Sequence, residues 1–223
     1  MHRSNHVSAP PGYRLSEQED KFRNQILSVA STLVSLVDLR DSYTGTHSTR
    51  VAAYTRNIGV ELGLDDPALE TVVLAASLHD IGKIGVPDHV LLKTGKLTEE
   101  EFEYIRKHSE FGWMVLRNLD GMEEASLILL HHHERFGGGG YPGNLSGGDI
   151  PLGARIIAVA DTYDALTTDR PYRKAREHDA AMREIHRNIN TQFDPHVVDA
   201  FTASFSHETE ISRAAAQGWP TSM

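Results

Sequence analysis

The stretch SLHDIGKIGVPDHVLLKTGKLT, residues 77–98, carries the most information about the fold and the chemistry of this chain. Its pair His79-Asp80 continues the apolar stripe of a helix that begins near Asp66, so we expect both side chains at the buried end of that helix. An aspartate beside a histidine can bridge two cations while the histidine binds one of them. Lys83, one turn further on, adds a positive charge. The stretch therefore predicts a metal site inside a helical fold.

The composition limits the classes of protein and of metal site. The 223 residues can bury the core of one domain, and the formal net charge of -9 argues against a nucleic acid polymer as partner. No apolar run is long enough to span a membrane and the N-terminus lacks a signal-peptide core, so we expect a cytoplasmic protein. Without cysteine, any metal must be held by His, Asp, Glu or water, which favours iron, manganese, zinc, nickel or magnesium.

The spacing of apolar residues predicts an all-α fold, a compact multi-helix bundle with short loops and a long N-terminal helix. The predicted helices after the N-terminal one span residues 46–62, 66–80, 98–120, 125–134, 151–168, 178–190 and 195–206. The predicted organisation is a flexible leader at 1–15, the N-terminal helix at 16–41, the main domain at 42–206 and a frayed C-terminal tail at 207–223.

Metal-capable side chains recur near the ends of the predicted helices: His47, His79, Asp80, His108, His132, His133 and Asp161. Each histidine alone could be an ordinary surface or structural residue, whereas Asp161 follows an apolar run where an unpaired carboxylate would be costly. Consecutive helical positions diverge by about 100°, so at most two of the histidines 131–133 can face one pocket. Taken together, these residues predict a metal site where several helices converge.

Three segments carry a long and specific pattern: HDIGKIGVPD at 79–88, HHERFGGGGYPGNLSGGDIPLGARIIAVADTYDALTTDRPYR at 132–173, and FDP at 193–195. In these segments the chain resembles the HD-GYP family of cyclic di-GMP phosphodiesterases, within the HD superfamily of metal-dependent phosphohydrolases. The resemblance implies an HD-domain bundle over 42–206 and a first metal held by His47, His79, Asp80 and Asp161. It implies a second metal held by Asp80, His108 and His132, with His133 as a further ligand. Asp164, one turn after Asp161, would orient these ligands by hydrogen bonding.

The resemblance also implies residues for catalysis and substrate binding. Asp80 would be catalytic as the bridge between the metals, and Lys83 would contact the phosphate or protonate the leaving oxygen. Arg170 and Arg173 would bind phosphate, for which a planar guanidinium is well suited. Tyr141, in a Gly-Tyr-Pro triplet, would line the substrate cleft. Each of these residues also has a structural alternative. Lys83 could donate to loop carbonyls, Arg173 could be an ordinary surface charge, and the Gly-Tyr-Pro triplet could form a tight loop that needs glycine torsions.

The sequence departs from the family pattern at two positions. Tyr43 stands where family members with three metals have a glutamate, and a neutral phenol is a poor substitute for a bridging carboxylate. We therefore expect two divalent ions, iron or manganese in the first place, with nickel, zinc and magnesium also compatible. By resemblance, two metals imply the linear product pGpG. Gly137 replaces an aspartate that is common in the family, which bears on loop order and catalytic efficiency.

The function expected from the resemblance is hydrolysis of cyclic di-GMP in bacterial second-messenger signalling. One alternative is a phosphohydrolase of another cyclic dinucleotide or nucleotide, because the site recognises phosphate better than base. Another is a signalling module that binds cyclic di-GMP or docks a partner with little turnover. Expected partners are a second copy of the chain, paired through residues 16–41, and a diguanylate cyclase or a separate sensor protein.

Overall fold

The computed structural model of the chain describes residues 28–29, 32–37, 39–40, 46–169 and 173–205. The predicted leader, residues 16–27 of the predicted N-terminal helix and the predicted tail lie outside these residues. Within the described part every regular element is a helix, which confirms the predicted all-α fold. No helix in this part of the chain is both long enough and apolar enough to cross a membrane.

The helices follow one another along the chain with short connections. They are α1 (His47–Glu61), α2 (Asp66–Leu78), α3 (Asp88–Leu91), α4 (Glu99–Arg106), α5 (His108–Leu116), α6 (Glu123–Leu130), α7 (Leu152–Thr167), α8 (His178–Arg187) and α9 (195–205). Short 3-10 turns cover Ile81–Gly85 and Gly147–Asp149. Ahead of α1, the described residues 28–29, 32–37 and 39–40 are helical.

Side-chain caps fix the starts of two of these helices. The Asp65 carboxylate accepts the N–H of Ala68 at 3.0 Å, and a proline occupies the first turn of α2. At α4 the Thr98 hydroxyl accepts the N–H of Glu101, and the Glu101 carboxylate accepts the N–H of Thr98. The predicted capping box is therefore confirmed.

Two apolar clusters hold the bundle together. The larger cluster joins α1, α2, α6, α7, α8 and α9 through fully buried side chains such as Ile58, Ile157 and Phe201. The smaller cluster contains Val34, Val37, Leu78, Ile81, Leu116 and Leu129. Leu78 and Ile81 lie directly on either side of the His79-Asp80 pair, so burial of this cluster fixes the backbone of the pair.

Three predicted helices are interrupted at a histidine, and the reason is the same in each case. His79, His108 and His132 donate from Nδ1 to the carbonyl oxygen three residues earlier, at 2.5–2.7 Å. A side chain that takes this carbonyl competes with the backbone amide that would continue the helix. The predicted helix 98–120 is accordingly divided at Lys107, and 125–134 ends as a helix at Leu130.

Candidate metal centre

Two clusters of histidine and aspartate lie next to each other at the ends of these helices. One consists of His47, His79 and Asp80, and the other of His108, His132 and His133. Within each cluster the nearest ligand atoms lie within 4.8 Å of one another, a spacing that could hold a metal ion. The structure thus brings together six of the seven side chains that the sequence singled out, and Asp161 borders the first cluster.

Asp80 lies between the two clusters and is 4% exposed. Its Oδ2 is 3.7 Å from Nε2 of His47 and 3.4 Å from Nε2 of His79. Its Oδ1 is 3.6 Å from Nε2 of His108. The Oδ1 of Asp161 completes the first cluster, 3.4 Å from Nε2 of His47. Each oxygen of Asp80 therefore faces a different set of histidines, as a bridging carboxylate requires.

The backbone fixes which nitrogen of each histidine faces the centre. The Nδ1 atoms of His79, His108 and His132 face main-chain carbonyl oxygens, which only accept, so Nδ1 must carry the hydrogen. The Nε2 atoms point inwards, where their lone pairs would meet a bound cation. Nε2 of His79 is fully buried without a hydrogen bond, a costly arrangement for a polar atom that a metal ion would relieve. The donor set fits a divalent cation.

His47 is oriented by a carboxylate rather than by the backbone. Its Nδ1 lies 2.7 Å from Oδ2 of Asp164, and Arg50 binds the same carboxylate through Nε at 2.5 Å and Nη2 at 2.9 Å. This is the position expected for Asp164, whereas the sequence analysis missed Arg50. The sequence contains a signal for Arg50. It follows His47 by three residues, as Asp164 follows Asp161, so the two residues of each pair share a helix face.

Charges favour the cation-binding form of Asp80. Burial opposes its ionisation, but the ammonium of Lys83 and the ring of His79 hold the pKa of Asp80 well below its usual range. Nζ of Lys83 lies 2.8 Å from Oδ2 of Asp80. Burial disfavours the charged form of His79, yet the carboxylates of Asp80 and Asp161 outweigh it and raise the pKa of His79 to about 9. The carboxylates of Asp80 and Asp161 therefore create a buried environment that favours positive charge.

The second cluster consists of neutral imidazoles. Burial and the neighbouring histidines lower the pKa of His132 and of His133 well below the usual range, and burial also lowers that of His108. The neutral ring is the form that binds metals. His131 is the third member of the triplet and faces Glu134 instead, at 3.5 Å. Two of the three consecutive histidines thus face one pocket, although they lie in a turn after the helix and not on the helix from which that limit was argued.

A cavity of about 390 Å³ opens beside the second cluster and is also lined by Asp161, which borders the first. Tyr141 lines it, with its ring centroid 4.9 Å from that of His133, and burial raises the pKa of its phenol, so the hydroxyl is neutral. Arg106 and Arg135 also line the cavity, and neither was singled out from the sequence. The guanidinium of Arg106 lies 4.7 Å from the ring centroid of Phe102 and 5.9 Å from that of Tyr141. The cavity therefore combines aromatic rings with positive charge.

The structure describes only one of the two predicted phosphate-binding arginines. Arg170 lies outside the residues that the structure describes, as does Tyr43. Arg173 is exposed and donates to the carbonyl oxygen of Ala165, so its guanidinium binds the end of α7. It is absent from the cavity lining, which Arg106 and Arg135 reach instead. The phosphate-binding role that the resemblance implies for Arg173 remains a prediction.

Glu134 organises the loop that follows the histidine triplet. It is 3% exposed, and its two carboxylate oxygens accept the N–H of Gly143 at 2.6 Å and that of Leu145 at 3.1 Å. A buried carboxylate is tolerated when it is hydrogen-bonded in this way. The two backbone donors stand nine and eleven residues further along the chain, so Glu134 ties the far end of the loop to the triplet.

Gly137 allows the same loop to approach the α8–α9 connection closely. Its N–H donates to the carbonyl oxygen of Thr191 at 3.0 Å, and a Cβ at position 137 would lie 2.7 Å from the carbonyl oxygen of Asn190. An aspartate at this position would bring its carboxylate close to two carbonyl oxygens. The glycine is therefore matched to the local backbone, and the loop is held in place without the aspartate that is common in the family.

Comparison with known proteins agrees with this geometry. The sequence profile of the HD domain family matches residues 31–197. The cyclic di-GMP phosphodiesterase response regulator RpfG of Xanthomonas campestris pv. campestris (strain 8004) is 39% identical over 188 residues, covering 83% of this chain and 49% of the relative. The 3'3'-cGAMP-specific phosphodiesterase 3 of Vibrio cholerae is 38% identical, covering 85% of this chain and 40% of the relative.

Among solved structures, the cyclic GMP-AMP specific phosphodiesterase V-cGAP3 of V. cholerae superposes with a TM-score of 0.60 at 20% identity. The superposition covers 82% of this chain and 50% of that one, and it shows the shared fold. The chain spans about half or less of the length of these curated relatives.

Proposed function

Since the chain belongs to the HD domain family, we propose that it is a metal-dependent phosphodiesterase of cyclic dinucleotides. The observation that carries the proposal is Asp80, whose two oxygens face different histidine clusters beside a cavity with aromatic and cationic walls. The names of relatives at 38–39% identity support the substrate class. The proposed substrate is cyclic di-GMP, opened mainly to linear pGpG.

The proposed metal ligands are those of the two clusters, together with Asp161. His47, His79, Asp80 and Asp161 would hold one ion, and Asp80, His108, His132 and His133 the other. Two divalent ions, iron or manganese in the first place, would supply Lewis-acid activation of water and neutralise phosphate charge. Asp164 and Arg50 would keep His47 in its orientation, since their hydrogen bonds fix Nδ1 and leave Nε2 for the ion.

The chain's own cations and rings would bind and orient the substrate. Lys83 would contact a phosphate oxygen or protonate the leaving oxygen, a role supported by the 2.8 Å distance of its Nζ from Oδ2 of Asp80. Arg106 and Arg135 would attract the anionic substrate into the cavity. Tyr141 offers a ring for stacking and a neutral hydroxyl as donor.

Turnover by the purified chain tests this function. Protein prepared without chelator would be supplied with Mn²⁺, or with Fe²⁺ under anaerobic conditions, and incubated with cyclic di-GMP or 3'3'-cGAMP. We expect cyclic di-GMP to be hydrolysed faster and linear pGpG to accumulate, with metal counted in the same samples. Products would be separated by chromatography. Faster hydrolysis of 3'3'-cGAMP would instead identify that compound as the substrate, in agreement with the name of the Vibrio relative.

The signalling-module alternative predicts a different outcome of the same experiment. A fully metal-loaded chain that binds cyclic di-GMP without hydrolysing it would be a receptor, or a docking module for a diguanylate cyclase or a sensor protein. The buried and preoriented ligand nitrogens favour the enzyme, because binding alone does not need a carboxylate placed between two histidine clusters.

We propose that a second copy of the chain pairs through the N-terminal helix. Val29, Leu33 and Leu36 are 61%, 46% and 58% exposed, while Val34 and Val37 of the same segment are buried. The exposed residues follow spacings of four and three, the pattern of a coiled-coil seam. We expect light scattering at micromolar concentration to give the mass of a dimer, and Leu33→Glu to give the mass of a monomer. A monomeric mass for the unaltered chain would exclude this pairing.

A further inference from the structure

The helical segment ahead of α1 contacts the metal-binding turn at two points. Val34 and Val37 pack on Leu78 and Ile81, the neighbours of the His79-Asp80 pair. Arg40, about one turn after Val37, extends over the 3-10 turn Ile81–Gly85 that carries Lys83. The first contact is apolar, whereas the second is a set of directed hydrogen bonds.

Arg40 uses its whole guanidinium to bind the end of this turn. Nη1 donates to the carbonyl oxygen of Lys83 at 3.0 Å, and Nη2 donates to that of Val86 at 2.6 Å. Nε and Nη2 both bind Oδ1 of Asp88, at 2.8 and 2.6 Å. The acceptors lie 43 to 48 residues away along the chain, so these contacts are tertiary. A flexible ammonium could not reproduce this planar arrangement of donors.

These hydrogen bonds bear on the position of the Lys83 ammonium. Arg40 holds the carbonyl of Lys83 itself, and the Lys83 side chain reaches Oδ2 of Asp80 at 2.8 Å. The side chain of Arg40 is 30% exposed and that of Asp88 is 71% exposed, so the salt bridge alone stabilises the fold little. The two carbonyl contacts are the part that defines the turn.

We propose that Arg40 is a positioning residue, which holds the turn bearing Lys83 so that the lysine ammonium stays on Asp80. The inference rests on the proposed function of Lys83. It connects the helical segment ahead of α1 to the turn that carries Lys83. Displacement of that helix would release the carbonyls of Lys83 and Val86 together.

A double-mutant cycle with Lys83 tests the proposal. In Arg40→Gln we expect kcat to fall roughly 10- to 100-fold, the cost of a small misplacement of a catalytic group, with KM and metal content unchanged. In a Lys83→Ala background the same change should lower kcat by less than about twofold, because the positioned group is already absent. Arg40→Lys should not restore the rate. The exposed Arg56, changed to Gln, is the charge-matched control.

Hydrogen exchange separates this proposal from the proposed function. Amides 83–86 should exchange faster in Arg40→Gln than in the unaltered chain, whether or not the chain turns over substrate. Equal exchange at these amides, or a loss of kcat that is the same with and without Lys83, would overturn the positioning role. Full turnover by Lys83→Ala would instead overturn the role given to the lysine.

Discussion

Asp80→Ala is expected to lower turnover of a cyclic dinucleotide by roughly 10³-fold or more and to reduce the metal content of the purified chain. Metal ions stabilise a transition state of this kind by several kcal/mol. A stabilisation of about 1.36 kcal/mol corresponds to a factor of ten in rate. Asp80 contributes to both clusters, since its oxygens lie 3.4–3.7 Å from the Nε2 atoms of His47, His79 and His108. Metal analysis and initial rates on the same samples measure both effects.

The helical fold should survive this change, because alanine is compatible with a buried position next to α2. Circular dichroism would check the helix content. The exposed Asp120, changed to alanine, provides a matched control that should keep metal and activity. Unaltered turnover and metal content in Asp80→Ala would show that neither cluster depends on this carboxylate, and the two-metal proposal would be wrong.

Gly82→Ala is expected to cause the largest loss of stability of any single methyl addition in the site. A Cβ at position 82 would overlap the carbonyl oxygen of His108 and lie 2.5 Å from the amide nitrogen of Gly112. Both neighbours are backbone atoms, so no side chain can move aside, and the start of α5 must shift. We expect the free energy of unfolding to fall by about 3 kcal/mol, which is the upper end of the usual cost of overpacking. The melting temperature should fall by roughly 6–12 °C.

The same shift should detach His108 from the second cluster, so metal content should fall even where the protein remains folded. Gly95→Ala is the control, since a Cβ at position 95 would meet no atom within 4 Å. Its melting temperature and metal content should equal those of the unaltered chain. If Gly82→Ala has the same melting temperature as Gly95→Ala, the close contact between the 3-10 turn and α5 is not present in solution.

The sequence predicted those parts of the fold and site that depend on local pattern. Apolar spacing gave the helices, and Thr98-to-Glu101 gave a capping box that the structure contains. The candidate ligands were recognisable because histidines and aspartates accumulate at helix ends. The division at Lys107 was missed, because it depends on the ring of His108 taking the carbonyl of Ile105. Helix propensities of single residues do not account for such a side-chain hydrogen bond.

Residues that act across the chain could not be found by spacing. Arg40 and Asp88 are 48 residues apart, and Gly82 matters only because the backbone of α5 lies against it. Glu134 is adjacent to a conspicuous histidine triplet, yet its role depends on amides of a loop that folds back over it. Arg173 is assigned to phosphate by resemblance, and its hydrogen bond to the carbonyl oxygen of Ala165 could not be foreseen from the sequence.

The hydrogen bonds of Glu134 have a consequence for the route by which substrate enters and product leaves. Because the glycine-rich loop is hydrogen-bonded both to Glu134 and to Thr191, that wall of the cavity cannot open without breaking these hydrogen bonds. Phe102 and Arg106 of α4 also line the cavity, and none of the residues of α4 is fully buried. A helix with so little buried surface is the element that opens most readily. We therefore expect ligand exchange to occur by outward movement of α4 past Phe102 and Arg106, with the loop serving as a fixed wall.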